Sequence, residues 1–236
     1  RDLAVPPPLF GWRYSRSWWA RGRNWLAWSA INRTIRPVLD ALNQQRSSWG
    51  LAAYKSGEET RSPLAEISQQ PSEFEFPRRE APPQLHFVGP LIDPTARPST
   101  AFPWESLADQ PLIYASMGTL QNRLRHVFQS ICQACEKADL TLVVSLGGSD
   151  PAIRQDLPKW PVIVDYAPQL ELLQRATLTI THAGLNTTLE SLACGVPLVA
   201  IPITNDQPGV AARIDWTGTG EVVSLRGLDA GHLRRV

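Results

Sequence analysis

From Pro111 onward the chain alternates wholly apolar stretches with short helical ones, and that rhythm leaves few folds open. "PLIYASMGT" (111–119), "LTLVVSLGG" (140–148), "PVIVDYAP" (161–168), "TLTITHAG" (177–184), "VPLVAIPI" (196–203) and "GEVVSL" (220–225) read as strands. Between them "RLRHVFQSICQACEKAD", "QLELLQRA", "NTTLESLACG" and "DQPGVAARIDWTG" read as helices, and "SDPAIRQDLPKW" as a loop. A strand that is apolar on both faces must be covered on both faces. The expectation is therefore an α/β fold with a Rossmann-like, doubly wound parallel sheet. With 236 residues, 43% of them hydrophobic, the chain can bury a sizeable core.

The part before this sheet has a different composition. Residues 1–60 interleave six tryptophans with arginines, and "WLAWSAINRTIRPVLDALNQQRSSWG" has helical spacing. Leu26, Ile31, Ile35, Leu39 and Leu42 can share a face there, and Pro37 predicts a kink or a break. "APPQLHFVGPLIDPTARPSTAFP" reads as an extended connector with a short strand over 86–89. The expected organisation is a partial domain over 1–90, a linker over 91–110 and the sheet domain over 111–236. A start without Met and a stop in the first turns of a helix suggest a fragment of a longer protein. The Trp/Arg segment keeps two readings: helix packing with solvated arginines, or an amphipathic surface touching a membrane or an apolar acceptor. Binding to anionic versus neutral liposomes separates the two.

Three cysteines are too few for a disulfide framework, and their odd count suggests reduced thiols in a cytoplasmic protein. Cys132 and Cys135 form a CxxC inside a helical pattern with no second pair, so packing is preferred over a metal site; Cys194 also reads as packed. No apolar run approaches the roughly 20 residues that span a bilayer.

Ligands of such sheets bind outside the carboxyl ends of the strands. The residues there are Ser116, Gly118 and Thr119 after the first strand, and Tyr166, Ala167 and Gln169 after the third. His182 and Gly184 follow the fourth, and Asp206 and Gln207 the fifth. Hydroxyls, amides, one imidazole and one carboxylate suit a polyhydroxyl group beside a phosphate. The helix opening at Asn186 presents unpaired N–H groups and the positive end of its dipole, Gly184 allows close approach, and Thr187 adds a hydroxyl. Glu190, one turn further on, can accept hydrogen bonds from a ribose. Tyr166 offers a face for a base, and groups around Ala167 and Gln169 can pair with its edge. Asp206 and Gln207 also fit an N-cap and first-turn pair, a role compatible with ligand contact.

"HAGLNTTLE … CGVPLVAIPITNDQ" resembles the nucleotide-sugar signature of UDP-dependent glycosyltransferases of the GT-B fold. His182, Gly184, Asn186, Thr187, Glu190, Pro197, Pro202, Asp206 and Gln207 all fall in register with it. "YAPQLELL" resembles the uracil-binding segment, with Tyr166 where plant members carry Trp, and "YASMGT" the Ser-x-Gly-Ser/Thr turn. "LAEISQQPSEFEFPRREAPPQLHFVGPL" and "DQPGVAARI" extend the likeness towards bacterial zeaxanthin glucosyltransferase-like enzymes. The resemblance implies a UDP-sugar donor, UDP-glucose first among them, an apolar hydroxylated acceptor and inverting transfer without a metal or other cofactor. It places the sugar at Asp206–Gln207 and the departing diphosphate at Gly184–Thr187 with His182. The base it implies is a histidine early in the N-terminal domain, so no catalytic residue is assigned within this chain, and the chain alone is expected to be inactive.

Two rivals stay open: a nucleotide-sugar epimerase of the same architecture, against which the acid–amide pair argues, and a catalytically inactive nucleotide-sugar-binding protein. An NAD(P) site is disfavoured because no G-x-G-x-x-G follows the first strand. A nucleic-acid partner is disfavoured because the site chemistry lies away from the basic aromatic segment.

Overall fold

The computed structural model describes residues 2–79, 81–97, 99–119, 124–148 and 151–236. The chain divides into two compact units, one of residues 1–7 and 13–89 and one of residues 8–12 and 90–236.

The first unit is built on α1 (Trp18–Ser48), which runs through Pro37 without interruption. Residues 32–38 are all exposed, so the carbonyl that proline leaves unpaired can bond to water, and the expected break does not occur. The packed face is also not the expected one. Ala20, Asn24 and Ala27 are buried, at i, i+4 and i+7, with the Asn24 amide donating to the Leu3 carbonyl at 2.9 Å. Leu26, Ile35 and Leu42 of the leucine–isoleucine stripe are exposed, as are Trp18, Trp19 and Trp25. β1 (Glu66–Ser68) pairs in parallel with β2 (Leu85–Phe87). The first of these strands was not expected; three residues are too few for a period-2 pattern to register.

The second unit carries six parallel strands: β3 (Leu112–Ser116), β4 (Thr141–Ser145), β5 (Val162–Val164), β6 (Ala176–Thr181), β7 (Leu198–Ala200) and β8 (Gly220–Val222). Their order across the sheet is β5-β4-β3-β6-β7-β8. The helices are α2 (Arg125–Cys135), α3 (Pro151–Gln155), α4 (Gln169–Leu173), α5 (Leu185–Ala193), α6 (Gln207–Thr217) and α7 (Ala230–Arg235). Alternate residues of β3 serve opposite faces, as a strand requires. Ala115 joins Val127, Phe128 and Ile131 of α2 and Leu233 of α7 in one core cluster. Leu112 and Tyr114 join Leu172 and Leu173 of α4 in another. The sheet is thus doubly wound, as its apolar strands predict.

Three local expectations need correction. The segment after β4 is not wholly loop: α3 forms there, with Ile153 and Leu157 buried four residues apart, while Ser149 and Asp150 lie outside the described residues. Cys194 is exposed rather than packed, whereas Cys132 and Cys135 are buried, their thiols pushed up to about 12 and about 11 by burial. Asp206 stands at the N-cap position of α6 but its side chain caps nothing, because its φ of −85° and ψ of −8° are already helical.

Residues 8–12 lie against the first turn of α6. A Cβ on Gly209 would come within 2.3 Å of the Pro8 carbonyl oxygen, and one on Gly11 within 3.4 Å of the Pro208 oxygen. Phe10 and Trp12 stack beside this contact at 4.2 Å. Among the described residues no helix is long and apolar enough to cross a membrane.

Candidate nucleotide-sugar site

β3 and β6 are neighbours although β4 and β5 come between them in sequence, so the direction of winding reverses at this pair. Helices leave such a switch point on opposite faces, and a crevice opens beyond the carboxyl ends. Ser116 and Thr181, the last residues of the two strands, are paired in register. A cavity of about 530 Å³ opens just past them.

Its floor is the His182 imidazole, seated between two glycines. A Cβ on Gly118 would fall 2.7 Å from the ring, and one on Gly184 2.6 Å, so neither position accepts a side chain while the ring stays in place. Gly118 also has φ +72°, a conformation open to glycine at no steric cost. Burial holds the imidazole below its ordinary pKa; the hydrogen bond to the Ser116 backbone and the charge of Asp206 oppose this less strongly. The ring is therefore mainly neutral at pH 7. Ala183 takes a left-handed φ of 64°, unusual for a residue with a Cβ, and turns the chain off β6 into α5.

α5 begins at the cavity wall. Gly184 is its N-cap and supplies no side-chain acceptor, so the first N–H groups of the helix are not capped from within. Gly184, Leu185, Asn186 and Thr187 all line the cavity. A helix start without a side-chain cap, at the positive end of the helix dipole, makes this wall attractive to an anion.

Glu190 does not line the cavity but lies one layer behind it, 3% exposed. Its Oε2 accepts from the Gln169 side-chain amide at 2.6 Å, and its Oε1 accepts from Arg97 Nη2. Gln169 Oε1 in turn accepts from the Tyr114 hydroxyl at 3.1 Å and, at the long limit of 3.5 Å, from Thr187. Burial pushes the Tyr114 phenol up to about 12, so it remains a donor. The Gln169 side chain is thus tied to Glu190 and Tyr114 while the residue also lines the cavity.

On the remaining rim, Thr119 and Ala167 line the cavity, and Tyr166 is 57% exposed. A Cβ on Gly148 would fall 2.3 Å from the Tyr166 hydroxyl, so a side chain there would displace the tyrosine. Asp206 and Gln207 line the opposite end. Gln207 Oε1 accepts from the N–H groups of Ile203 and Thr204 at 2.9 and 3.0 Å, which fixes the loop between β7 and α6.

The structure thus brings Ser116, Gly118, Thr119, Tyr166, Ala167, Gln169, His182, Gly184, Asn186, Thr187, Asp206 and Gln207 to one cavity, with Glu190 behind them. It adds Arg97, Tyr114, Ser145, Gly147, Leu185 and Asn205. Ser145 and Gly147 end β4 and were within reach of the strand-end argument. Arg97 was not, because it lies in the connector, outside any periodic element. Among the described residues no group of three or more His, Cys, Asp or Glu side chains could hold a metal ion.

Comparison with known proteins bears on this architecture. The chain is 33% identical over 227 residues to a zeaxanthin glucosyltransferase of Pantoea ananas, covering 95% of this chain and 53% of that protein. It is 32% identical over 228 residues to a zeaxanthin glucosyltransferase of Pseudescherichia vulneris, covering 95% and 54%. It therefore spans about half the length of the curated relatives it matches. The glycosyltransferase of kitacinnamycin aligns with a TM-score of 0.70 at 20% identity over 86% of this chain and 56% of its own. The calicheamicin glycosyltransferase aligns at 0.65 and 24% identity over 83% and 50%. At those identities the likeness establishes the GT-B fold. Residues 52–234 match the model of the UDP-glucoronosyl and UDP-glucosyl transferase family, and the chain belongs to that family.

Proposed function

We propose that the protein transfers a hexose, glucose first among the candidates, from a UDP-sugar to a hydroxyl of an apolar small-molecule acceptor, with inversion. One observation carries the reading: a helix terminus without a side-chain cap and an acid–amide pair lie along one cavity at the switch point of the sheet, with a buried carboxylate one layer behind. The diphosphate lies on the N–H groups of residues 184–187, with neutral His182 as a further donor. The ribose reaches Glu190, the base lies on Tyr166 beside Ala167, and the sugar hydroxyls meet Asp206 and Gln207. As the anomeric bond breaks, charge grows on the diphosphate, where preorganised N–H donors stabilise it most. No acceptor base is assigned to this chain.

The relatives named as zeaxanthin glucosyltransferases support a hydrophobic acceptor and glucosyl transfer. Peripheral membrane contact through the exposed tryptophans of α1 belongs to the same proposal and is read separately by the liposome comparison.

Thermal unfolding with UDP, UDP-glucose, UDP-GlcNAc and TDP-sugars tests the site. A ligand at 100 times its dissociation constant adds about 2.7 kcal/mol of stability. A clear upward shift in Tm with UDP and a further one with the matching sugar are expected; no shift with any uridine nucleotide would overturn the reading.

A further inference from the structure

We propose that Arg97, on the strap preceding the sheet, is a diphosphate-binding residue of this site and bridges the phosphates to Glu190. The inference rests on the nucleotide-sugar reading and adds to it a residue that no strand end or helix terminus supplies.

Charge is the first reason. Among the described residues lining the cavity, Arg97 is the only lysine or arginine, Asp206 is acidic, and His182 is held towards its neutral form by burial. A diphosphate would meet only the partial charge of a helix terminus if Arg97 took no part. Glu190 adds a second difficulty. It lies four residues from Asn186, which is about 6 Å along the helix axis. A 3% exposed carboxylate so near a polyanion is unfavourable unless a cation stands between them.

Geometry is the second reason. Arg97 satisfies both demands from one position: its Nη2 contacts Glu190 Oε1 while its side chain, 44% exposed, also lines the cavity. A guanidinium has five N–H donors in a planar fork. One directed at Glu190 leaves others for phosphate oxygens, which is the bidentate geometry that favours arginine over lysine. The carboxylate keeps lone pairs for a ribose hydroxyl, since two oxygens offer about four acceptor sites. The strap itself is anchored just upstream, where Asp93 Oδ1 accepts from the Thr95 N–H at 2.9 Å and opens a short helical turn.

Calorimetric titration of the chain with uridine, UMP, UDP and inorganic pyrophosphate separates this from a purely structural ion pair. Arg97→Gln should weaken UDP about 10- to 100-fold, the range of charge-assisted hydrogen bonds to phosphate, while uridine changes about threefold or less. Arg97→Lys should recover part of the UDP loss, because it restores the charge without the fork. An equal loss for uridine and UDP means that Arg97 acts only through Glu190, and the proposal fails while the nucleotide reading stands. If the unaltered chain binds no uridine nucleotide, the nucleotide reading falls. Pyrophosphate then decides: binding weakened by Arg97→Gln supports the arginine site, and no binding overturns it as well.

Discussion

α7 begins at Asp229, whose carboxylate accepts the His232 N–H at 2.7 Å, whereas α5 begins at Gly184, which has no side chain to offer. Both helices belong to the same sheet domain. α7 packs its Leu233 into the core and donates from Arg234 to the carbonyls of Gln133 and Ala134. Its cap serves stability alone. A carboxylate placed likewise at α5 would occupy the N–H groups facing the cavity and set a negative charge where a phosphate is proposed to lie. Glycine in place of a capping side chain costs only about a few tenths of a kcal/mol of helix stability and keeps a negative charge away from this wall.

The largest test of this contrast is Gly184→Ala. The backbone angles suit alanine, but the new Cβ must displace the His182 ring 2.6 Å away. We expect UDP affinity to fall about 10- to 100-fold, the worth of one hydrogen bond to a charged group, with the fold retained. Unchanged UDP binding by calorimetry would detach α5 from the phosphate. Asp229→Ala should do the reverse. Denaturant unfolding should report a loss of about 1 kcal/mol with UDP affinity untouched, and a loss of affinity would mean that the two helix starts are coupled.

The smallest effect is on pH dependence. His182 has its pKa depressed in the folded state, so below the ordinary value of 6.5 the unfolded chain takes up a proton that the folded chain refuses. Stability from this residue is complete above pH 6.5 and declines as pH falls below it, until the folded imidazole also titrates. Asp206, the nearest acid acting on the ring, limits the depression. His182→Gln should flatten this part of the stability–pH curve, and an identical slope in the variant would show that the ring is not held neutral.

The legible parts of the molecule are those where one physical rule acts over many residues. Six apolar runs specify a parallel sheet, and the strand-end rule then selects the rim that became the cavity. Legibility ends where partners meet through tertiary folding. Arg97 reaches Glu190 across 93 positions from a stretch with no periodicity, and the Gln169 side chain meets Glu190 and Tyr114 from 21 and 55 positions away. α1 illustrates the opposite failure. Its leucine–isoleucine stripe had the right period, but the close approach of residue 3 selected the small face at Ala20, Asn24 and Ala27 instead.

The contact between Pro8 and Gly209 has a consequence in time. Pro8 is synthesised about 200 residues before its partner, and at typical elongation rates it waits roughly 10–40 s for α6 to exist. During that interval residues 8–12 have no helix start to lie against. Its docking also closes a loop almost as long as the chain, which places it among the last events of folding.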